Sequence, residues 1–234
     1  MSTGDRLARF AHLPVLRPDL TRLPAAQVDL WGRLGDVPGS FVLYGGTALA
    51  LRLAHRESVD FDFFTDEPFR GGELLAALRW LGRVEVLALV DNTLTLIEPG
   101  GVRLSFFGNL GLQAVAEPSI VPENGIVVAS IHDLAGTKAK ALVDRSEWKD
   151  HVDIAELIRA GHRLADIIGY ATTIFDRLFV FPTPEFLRSL VWFRDGTAPD
   201  VPEDVRRELE RAVHDLDLAD IPRVEPHLPC HGRR

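Results

Sequence analysis

Two aspartates, Asp60 and Asp62, are separated by one residue in the aromatic sequence Val-Asp-Phe-Asp-Phe-Phe. Because side chains alternate along a β-strand, both carboxylates are predicted to lie on one face, with Val59, Phe61 and Phe63 on the other. Their α-carbons should be roughly 6.5 Å apart. Two carboxylates at this spacing can bind Mg²⁺ or Mn²⁺, hard cations that take oxygen ligands. The alternative for these residues is an edge strand with two solvated aspartates.

A glycine pair precedes this strand. Gly45 and Gly46 follow the apolar residues 41–44, which are typical of a strand, and precede residues 47–53, whose Ala/Leu pattern predicts a helix. The first N–H groups of a helix and the positive end of its dipole favour a phosphate, and glycine lets the phosphate approach the backbone. Thr47 is a candidate for the helix cap or for a further hydroxyl donor. The segment therefore predicts a site for a nucleoside triphosphate and its metal ion.

This combination resembles the signature of the nucleotidyltransferase superfamily, in which a Gly-Gly turn and a short helix precede an Asp-x-Asp strand. Thirteen residues separate Gly46 from Asp60, a spacing that this superfamily allows. The longer pattern GGTALAL, then HRES, then DFDFF is similar to the AbiEii/AbiGii toxin branch, known from bacterial abortive-infection and toxin–antitoxin systems. In that branch the His-Arg-x-Ser sequence leads into the acidic strand. The resemblance therefore implies that Arg56 lies near bound nucleotide.

A second block, from His132 to Ile154, resembles the downstream pattern of the same branch. Asp133 is a plausible N-cap, and Lys138 and Arg145 fall on one face of the predicted helix. The resemblance implies that Lys138 contacts nucleotide phosphates and that Asp150 lies in the active site as a base or polar organiser. Without the resemblance, Lys138 would be read as a surface lysine, and Asp150 as a first-turn acid favoured by the helix dipole.

Many members of the superfamily supply a third carboxylate from a neighbouring strand. Here the best candidate strand, residues 102–107, has Ser105 at the position expected for the acid. Glu98 can fill that place only if the strand register allows it. A geometry with two metal ions about 3.5 to 4 Å apart is therefore not established by the sequence.

Segments with the hydrophobic period of a helix and segments with that of a strand are mixed along the chain rather than strictly alternating. This pattern predicts an α+β fold. We predict a nucleotidyltransferase-like mixed β-sheet with packed helices over residues 1–130, a helical C-terminal region over 131–216, and a loosely ordered tail over 217–234. In the first region the predicted helices are 23–34 and 71–81, and the predicted strands are 83–90, 93–98, 101–107 and 126–129. Residues 118–125 are predicted to form a loop.

Aromatic residues of the C-terminal region allow two interpretations. They recur at helical spacing, so buried core is favoured over a surface for stacking bases. They are Phe175, Phe179, Phe181, Trp192 and Phe193.

Composition limits the remaining function classes. A net charge of −8 excludes binding of nucleic acid through a general basic field, so any RNA contact must be local. The single cysteine, Cys230, excludes a disulfide framework, and no P-loop or zinc-binding spacing is present. The N-terminus lacks a signal-peptide core, and no apolar run is long enough to cross a membrane. We expect a cytoplasmic protein.

The predicted function is a metal-dependent nucleotidyltransferase that moves a nucleoside monophosphate (NMP) from a nucleoside triphosphate (NTP) to an acceptor hydroxyl. The resemblance implies an RNA 3′ end, particularly that of tRNA, as acceptor, and a cognate antitoxin as partner. Two alternatives stay open. One is a catalytically inactive module that binds nucleotide or antitoxin, and the other is a small-molecule nucleotidyltransferase of the kind that acts on aminoglycosides.

Overall fold

A computed structural model describes residues 3–194 and 197–227 of the protein. The chain divides into two compact units. Unit 1 holds the chain up to Gly111 together with Glu117–Ser130. Unit 2 holds Leu112–Ala116 and the chain from Ile131 onwards.

Unit 1 is built on a seven-stranded mixed sheet. Its strands are β1 (Val42–Tyr44), β2 (Asp60–Phe64), β3 (Glu85–Val90), β4 (Thr93–Ile97), β5 (Arg103–Phe107), β6 (Ser119–Ile120) and β7 (Val127–Val128). Their order across the sheet is β3-β4-β5-β2-β1-β7-β6. The pairs β2/β5 and β1/β7 are parallel and the other pairs are antiparallel. The predicted α+β fold with a mixed sheet is confirmed.

Strand alternation separates the two faces of this sheet. One face carries the hydrophobic core, whose fully buried members on the strands are Leu43, Phe61, Phe63, Leu94, Leu96, Leu104 and Phe106. The opposite face, here called the acid face, carries Asp60 and Asp62. The predicted alternation of β2 is confirmed for Phe61 and Phe63. It is wrong for Val59, which precedes the strand and is 55% exposed.

In its described residues, unit 1 has the α-helices α1 (Thr3–Arg9), α2 (Ala25–Trp31), α3 (Gly45–Leu53) and α4 (Gly71–Ala77). Helix α3 joins β1 to β2 and buries four consecutive apolar side chains, Ala48, Leu49, Ala50 and Leu51. The predicted helices 23–34 and 71–81 are each split into a shorter α-helix and a following 3-10 turn.

The edge strand β6 is a feature that the loop prediction for residues 118–125 missed. Ser119 and Ile120 pair with β7, and Ile120 also bridges to Val15 in parallel. Two prolines close to such a short strand hide its pattern in the sequence. The N-terminal segment thus covers this edge of the sheet.

Unit 2 is helical, as predicted. Its helices are α5 (Ile131–Arg145), α6 (Trp148–Arg159), α7 (Leu164–Phe175), α8 (Thr183–Val191) and α9 (Glu203–His214). Of the aromatic residues with two interpretations, Phe175 and Phe181 are buried, whereas Phe179 and Trp192 are 38% and 44% exposed. Among the described residues of both units, every helix is too short or too polar to cross a bilayer.

Residues 217–227 differ from the predicted loose tail. They begin with a 3-10 turn, Leu218–Asp220, and then run along α7, where the Thr173 hydroxyl donates to the Val224 carbonyl at 2.8 Å. The His227 N–H donates to the Ala114 carbonyl at 2.7 Å. Hydrogen bonds to backbone groups of this segment hold it in place. A proline-rich composition does not reveal such bonds. Residues 228–234, including Cys230, lie outside the described residues.

Candidate active site

The turn between β1 and α3 has the geometry of an anion site. Gly45 has φ +75°, a left-handed conformation that glycine adopts without strain, and it is already the first residue of α3. The N-cap is Tyr44, with extended backbone and no side-chain cap. The first N–H groups of α3 have no partners within the helix and point out of its N-terminus.

Asp62 lies directly against this turn. A methyl group on Gly45 would lie 3.2 Å from both Cβ and Cγ of Asp62 and would overlap its carboxylate. The contact follows from the antiparallel pairing of β1 with β2, in which Tyr44 is opposite Asp62. The acidic strand and the helix N-terminus therefore form one local site within unit 1.

We expect Gly45→Ala to lower the free energy of unfolding by about 1–3 kcal/mol. A left-handed alanine costs about 1–2 kcal/mol, and the new methyl also displaces the Asp62 carboxylate. Urea unfolding followed by circular dichroism would measure the change. Gly72→Ala in α4 is the matched control, since its methyl meets nothing within 4 Å and should be neutral or stabilising. Equal effects of the two substitutions would contradict this reading of Gly45.

Asp60 is the second acid on this face and is paired with a cation. Its Oδ2 accepts a hydrogen bond from Arg103 Nη2 at 2.6 Å, and the two side chains are 23% and 47% exposed. Arg103 is directly opposite Asp60 in the parallel β2/β5 pair. The cation at this carboxylate occupies the kind of position that a metal ion would take.

Thr47 differs from its predicted capping role. It is the third residue of α3 rather than the N-cap, and its buried hydroxyl donates to the Asp60 carbonyl oxygen. The same hydroxyl lies 2.9 Å from Ser58 Oγ. The helix begins two residues earlier than predicted because Gly45 accepts the positive φ that starts it. Thr47 therefore fixes the start of the acidic strand against the first turn of α3.

Arg56 also lies at the turn. A methyl group on Gly46 would lie 2.8 Å from Arg56 Nη2 and 2.9 Å from Ser58 Oγ. The other guanidinium nitrogen, Nη1, donates to the Glu57 carbonyl at 2.9 Å. The absence of a side chain at Gly46 lets the guanidinium group approach the start of α3.

The strand register of the sheet shows which residues lie beside Asp60 and Asp62. Ser105 is directly opposite Asp62, and Thr95 is opposite Ser105 on the next strand. Glu98 lies beyond the end of β4, where its Oε1 accepts from the Val102 N–H at 3.0 Å. Among the described residues, no group of three or more His, Cys, Asp or Glu side chains is arranged to hold a metal ion. Asp60 and Asp62 are the two carboxylates of β2 on the acid face, and their role as ligands of a divalent cation stays a prediction.

Unit 2 contains a second cluster, defined by Lys138 and Arg145 of α5 and by Asp150 and Asp153 of α6. Lys138 Nζ lies 3.1 Å from Asp150 Oδ1 and 2.6 Å from Asp153 Oδ2. Arg145 donates to both oxygens of Asp150, at 2.7 and 2.9 Å. The lysine side chain is 5% exposed and both aspartates are fully buried. The prediction that Lys138 and Arg145 share a helix face is confirmed.

The charges in this buried cluster balance. Burial alone would raise the pKa of Asp150, but the hydrogen bonds from Arg145 and the charge of Lys138 outweigh it, so the pKa lies below its ordinary value. Asp150 is therefore an ionised carboxylate near neutral pH. Asp133, predicted as an N-cap, lies inside the first turn of α5, and its Oδ1 accepts from the Val115 N–H at 2.7 Å. Because α5 begins at Ile131, three residues earlier than an N-cap at Asp133 implies, the Asp133 side chain instead binds residues 112–116 to the helix.

The predicted site residues thus fall into two groups. Unit 1 brings together Gly45, Gly46, Thr47, Arg56, Asp60 and Asp62. Unit 2 brings Lys138 together with Asp150. Sequence reasoning missed the partners Arg103 and Ser58. Arg103 could have been found only from the register of β2 with β5, which are about 40 residues apart in the chain.

Two known proteins are similar to this chain. The chain is 36% identical over 121 residues to an uncharacterized protein of Aquifex aeolicus (strain VF5), a match that covers 51% of this chain and 58% of that protein. The chain thus spans a little over half the length of this curated relative. A solved structure with 13% identity is MenT4, a nucleotidyltransferase toxin from Mycobacterium tuberculosis H37Rv. The TM-score is 0.42, over 92% of this chain and 98% of that one.

A family pattern matches most of the chain. It covers residues 33–227, which include the glycine turn, both acids of β2 and the cluster of α5 and α6. The resemblance drawn from the sequence motifs is confirmed. The chain therefore belongs to the nucleotidyl transferase AbiEii toxin family of type IV toxin–antitoxin systems.

Proposed function

We propose that the protein is a metal-dependent nucleotidyltransferase that moves an NMP from an NTP to an acceptor hydroxyl. The observation that carries the proposal is the contact between the Asp62 carboxylate and Gly45 at the N-terminus of α3. Two acids of one strand and a backbone anion site are adjacent there. This is the combination needed to hold a polyphosphate together with a divalent cation.

The oxygen donors at this site suit Mg²⁺ or Mn²⁺. Asp60 and Asp62 would hold the ion, which when bound neutralises charge on the phosphates and orients them. Arg103, now 2.6 Å from Asp60, shows that this carboxylate accepts a cationic partner. The Arg103 side chain is 47% exposed, so its guanidinium group can turn to solvent at little cost when another cation binds.

The remaining residues of unit 1 bind and orient the nucleotide. The N–H groups of Gly45, Gly46 and Thr47 donate to the phosphate tail, and the Arg56 guanidinium adds a charged donor beside the turn. Thr47 also holds the Asp60 backbone through its hydroxyl. The acceptor hydroxyl gives up its proton to solvent as its oxygen attacks the α-phosphorus. The bond from the α-phosphorus to the oxygen that bridges to the β-phosphorus breaks, and pyrophosphate leaves. Positioning and electrostatics supply the rate enhancement.

The roles proposed for Lys138 and Asp150 rest on the family pattern. Buried clusters of ionisable groups are enriched at functional sites, which supports this proposal. Asp150 has a lowered pKa and accepts hydrogen bonds from Lys138 and Arg145, so it is a weak base. Of the two roles considered for Asp150, we therefore propose that of polar organiser, which holds Lys138 and Arg145 in place. A contact of Lys138 with nucleotide phosphates stays a prediction from the family resemblance.

The acceptor and the partner are part of the same proposal. We propose the 3′ end of an RNA, particularly tRNA, as acceptor, and a cognate antitoxin as partner, both by analogy with the family. The net charge of −8 requires the RNA contact to be local, at groups such as Arg56 and Arg103. A cytoplasmic location follows, because NTPs and tRNA are available there.

Transfer of label tests the proposal. The protein is incubated with each α-labelled NTP, Mg²⁺ or Mn²⁺, and total RNA or total protein. We expect label in RNA with wild type and none with Asp60→Ala combined with Asp62→Ala. Label in protein would correct the acceptor. The absence of transfer by wild type, or undiminished transfer by the double variant, would overturn the proposal.

One observation favours a second candidate, a nucleotide-binding module without turnover. Ser105 is opposite Asp62 at the position where a third acid would complete the metal site. Calorimetry separates the two functions. Nucleotide affinity that does not depend on Mg²⁺, without any transfer, favours the binding module.

A further inference from the structure

Three aromatic side chains share the acid face with Asp60 and Asp62. Tyr44 is directly opposite Asp62, and paired residues of neighbouring strands point to the same side. Phe64 is two residues beyond Asp62 on β2, and Phe107 is opposite Phe64 on β5. Sheet geometry therefore aligns a row of aromatic rings beside the acids.

The three rings form a connected cluster. Tyr44 and Phe64 are stacked, with ring centroids 4.6 Å apart and an interplanar angle of 15°. Phe107 meets Phe64 edge to face, at 5.7 Å and 85°. All three side chains are half-buried, whereas Phe61, Phe63 and Phe106 on the opposite face are fully buried. The cluster therefore keeps apolar ring surface in contact with solvent beside charged groups.

Short side chains flank the cluster on the same face. Thr93 is opposite Phe107, and Thr95 and Ser105 continue the row that begins at Asp62. Thr93 and Thr95 are half-buried, whereas Ser105 is buried. Hydroxyl groups thus border the aromatic cluster on this face of the sheet.

Resting on the proposed function, we propose that Tyr44, Phe64 and Phe107 form a subsite that stacks a nucleobase. Phe64 lies two residues from Asp62 along the strand, so their α-carbons are roughly 6.5 Å apart. In a nucleotide, the ribose keeps the base at some distance from the α-phosphate. A nucleotide whose phosphates lie at Asp62 can therefore place its base on the aromatic rings. Stacking is tolerant of base identity because every base has an aromatic face.

Phe64→Leu and Phe107→Leu test the subsite without removing the apolar volume. Calorimetry measures binding of each NTP and of inorganic tripolyphosphate, both with Mg²⁺. We expect each variant to weaken NTP binding at least about fivefold, the lower limit for one base stacked on an aromatic side chain, and to leave tripolyphosphate binding unchanged. Phe69→Leu is the matched control, since Phe69 is a half-buried phenylalanine of unit 1 that packs on Phe41 instead.

A second measurement, the KM for RNA, shows whether the stacked base belongs to the NTP or to the acceptor RNA. If the subsite holds the terminal base of the acceptor, NTP affinity stays at the wild-type value and the KM for RNA at saturating NTP rises at least about fivefold. Either pattern supports the subsite.

Three results would overturn the subsite. The first is a wild-type NTP affinity and a wild-type KM for RNA in both variants. The second is an equal loss of NTP and tripolyphosphate affinity, and the third is the same loss of NTP affinity with Phe69→Leu. A wild type that neither binds NTP nor transfers label is a separate result, in which the proposed function fails and the subsite with it.

Discussion

Asp62→Asn is expected to lower the rate of NMP transfer about 10³-fold or more while preserving the fold. Asparagine has the same shape as aspartate but lacks the charge that binds a divalent cation. Charge stabilisation by a bound metal ion is worth several kcal/mol, and each 1.36 kcal/mol corresponds to a factor of ten in rate. The rate of label transfer measures the loss, and urea unfolding shows whether the free energy of unfolding stays within about 1 kcal/mol of wild type.

Asp91→Asn is the matched control for this prediction. Asp91 is an exposed aspartate of unit 1 at the turn between β3 and β4, away from the acid pair in the register. The substitution removes the same charge from the same unit. A wild-type rate with Asp62→Asn, or an equal loss with Asp91→Asn, would show that the Asp62 carboxylate has no specific part in the reaction.

Asp60 differs from Asp62 in its surroundings. Its carboxylate is already paired with Arg103, whereas that of Asp62 lies against the Gly45 backbone. Removing the Asp60 charge therefore also breaks an exposed ion pair, which is worth about 0–1 kcal/mol.

The local parts of this fold were predictable from the sequence. Gly45, Gly46 and the Asp-x-Asp strand lie within 20 residues, and each depends on a short period or on the special conformations of glycine. The positions of strands 93–98 and 101–107 were also predicted to within two residues, because a turn containing Pro99 and two glycines separates two apolar runs.

The non-local parts were not predictable. The pairing of Arg103 with Asp60 depends on which strand is the neighbour of β2, and that neighbour is β5 rather than β3 or β4. The burial of Lys138 depends on the packing of α6 against α5, which supplies two carboxylates to one amine. A sequence shows that a lysine and an aspartate are present, but it does not show that both side chains are buried away from solvent.

Lys138→Met is expected to lower the free energy of unfolding by about 3–5 kcal/mol. The substitution keeps an unbranched side chain of similar length but removes the positive charge that contacts Asp150 and Asp153. Both carboxylates are fully buried, and removing one partner of a buried ion pair leaves an uncompensated charge. Arg145 still binds Asp150, but its side chain is 44% exposed, so it compensates the buried negative charge only in part. Urea unfolding at pH 7 measures the loss.

The matched control lies two residues further along the same helix. Lys140 pairs with Asp144 at the surface, so Lys140→Met should cost less than about 1 kcal/mol. Acidification adds a second test. The lowered pKa of Asp150 contributes stability to wild type above its unfolded-state pKa of about 3.9, and this contribution is lost as the pH falls through the folded-state value.

In Lys138→Met the loss of the neighbouring positive charge raises the pKa of Asp150, so this carboxylate takes up a proton at a higher pH than in wild type. The difference in stability between variant and wild type should therefore narrow as the pH is lowered. A difference that stays constant with pH would assign the loss to packing of the lysine stem rather than to its charge. Equal losses for Lys138→Met and Lys140→Met would contradict the buried cluster itself.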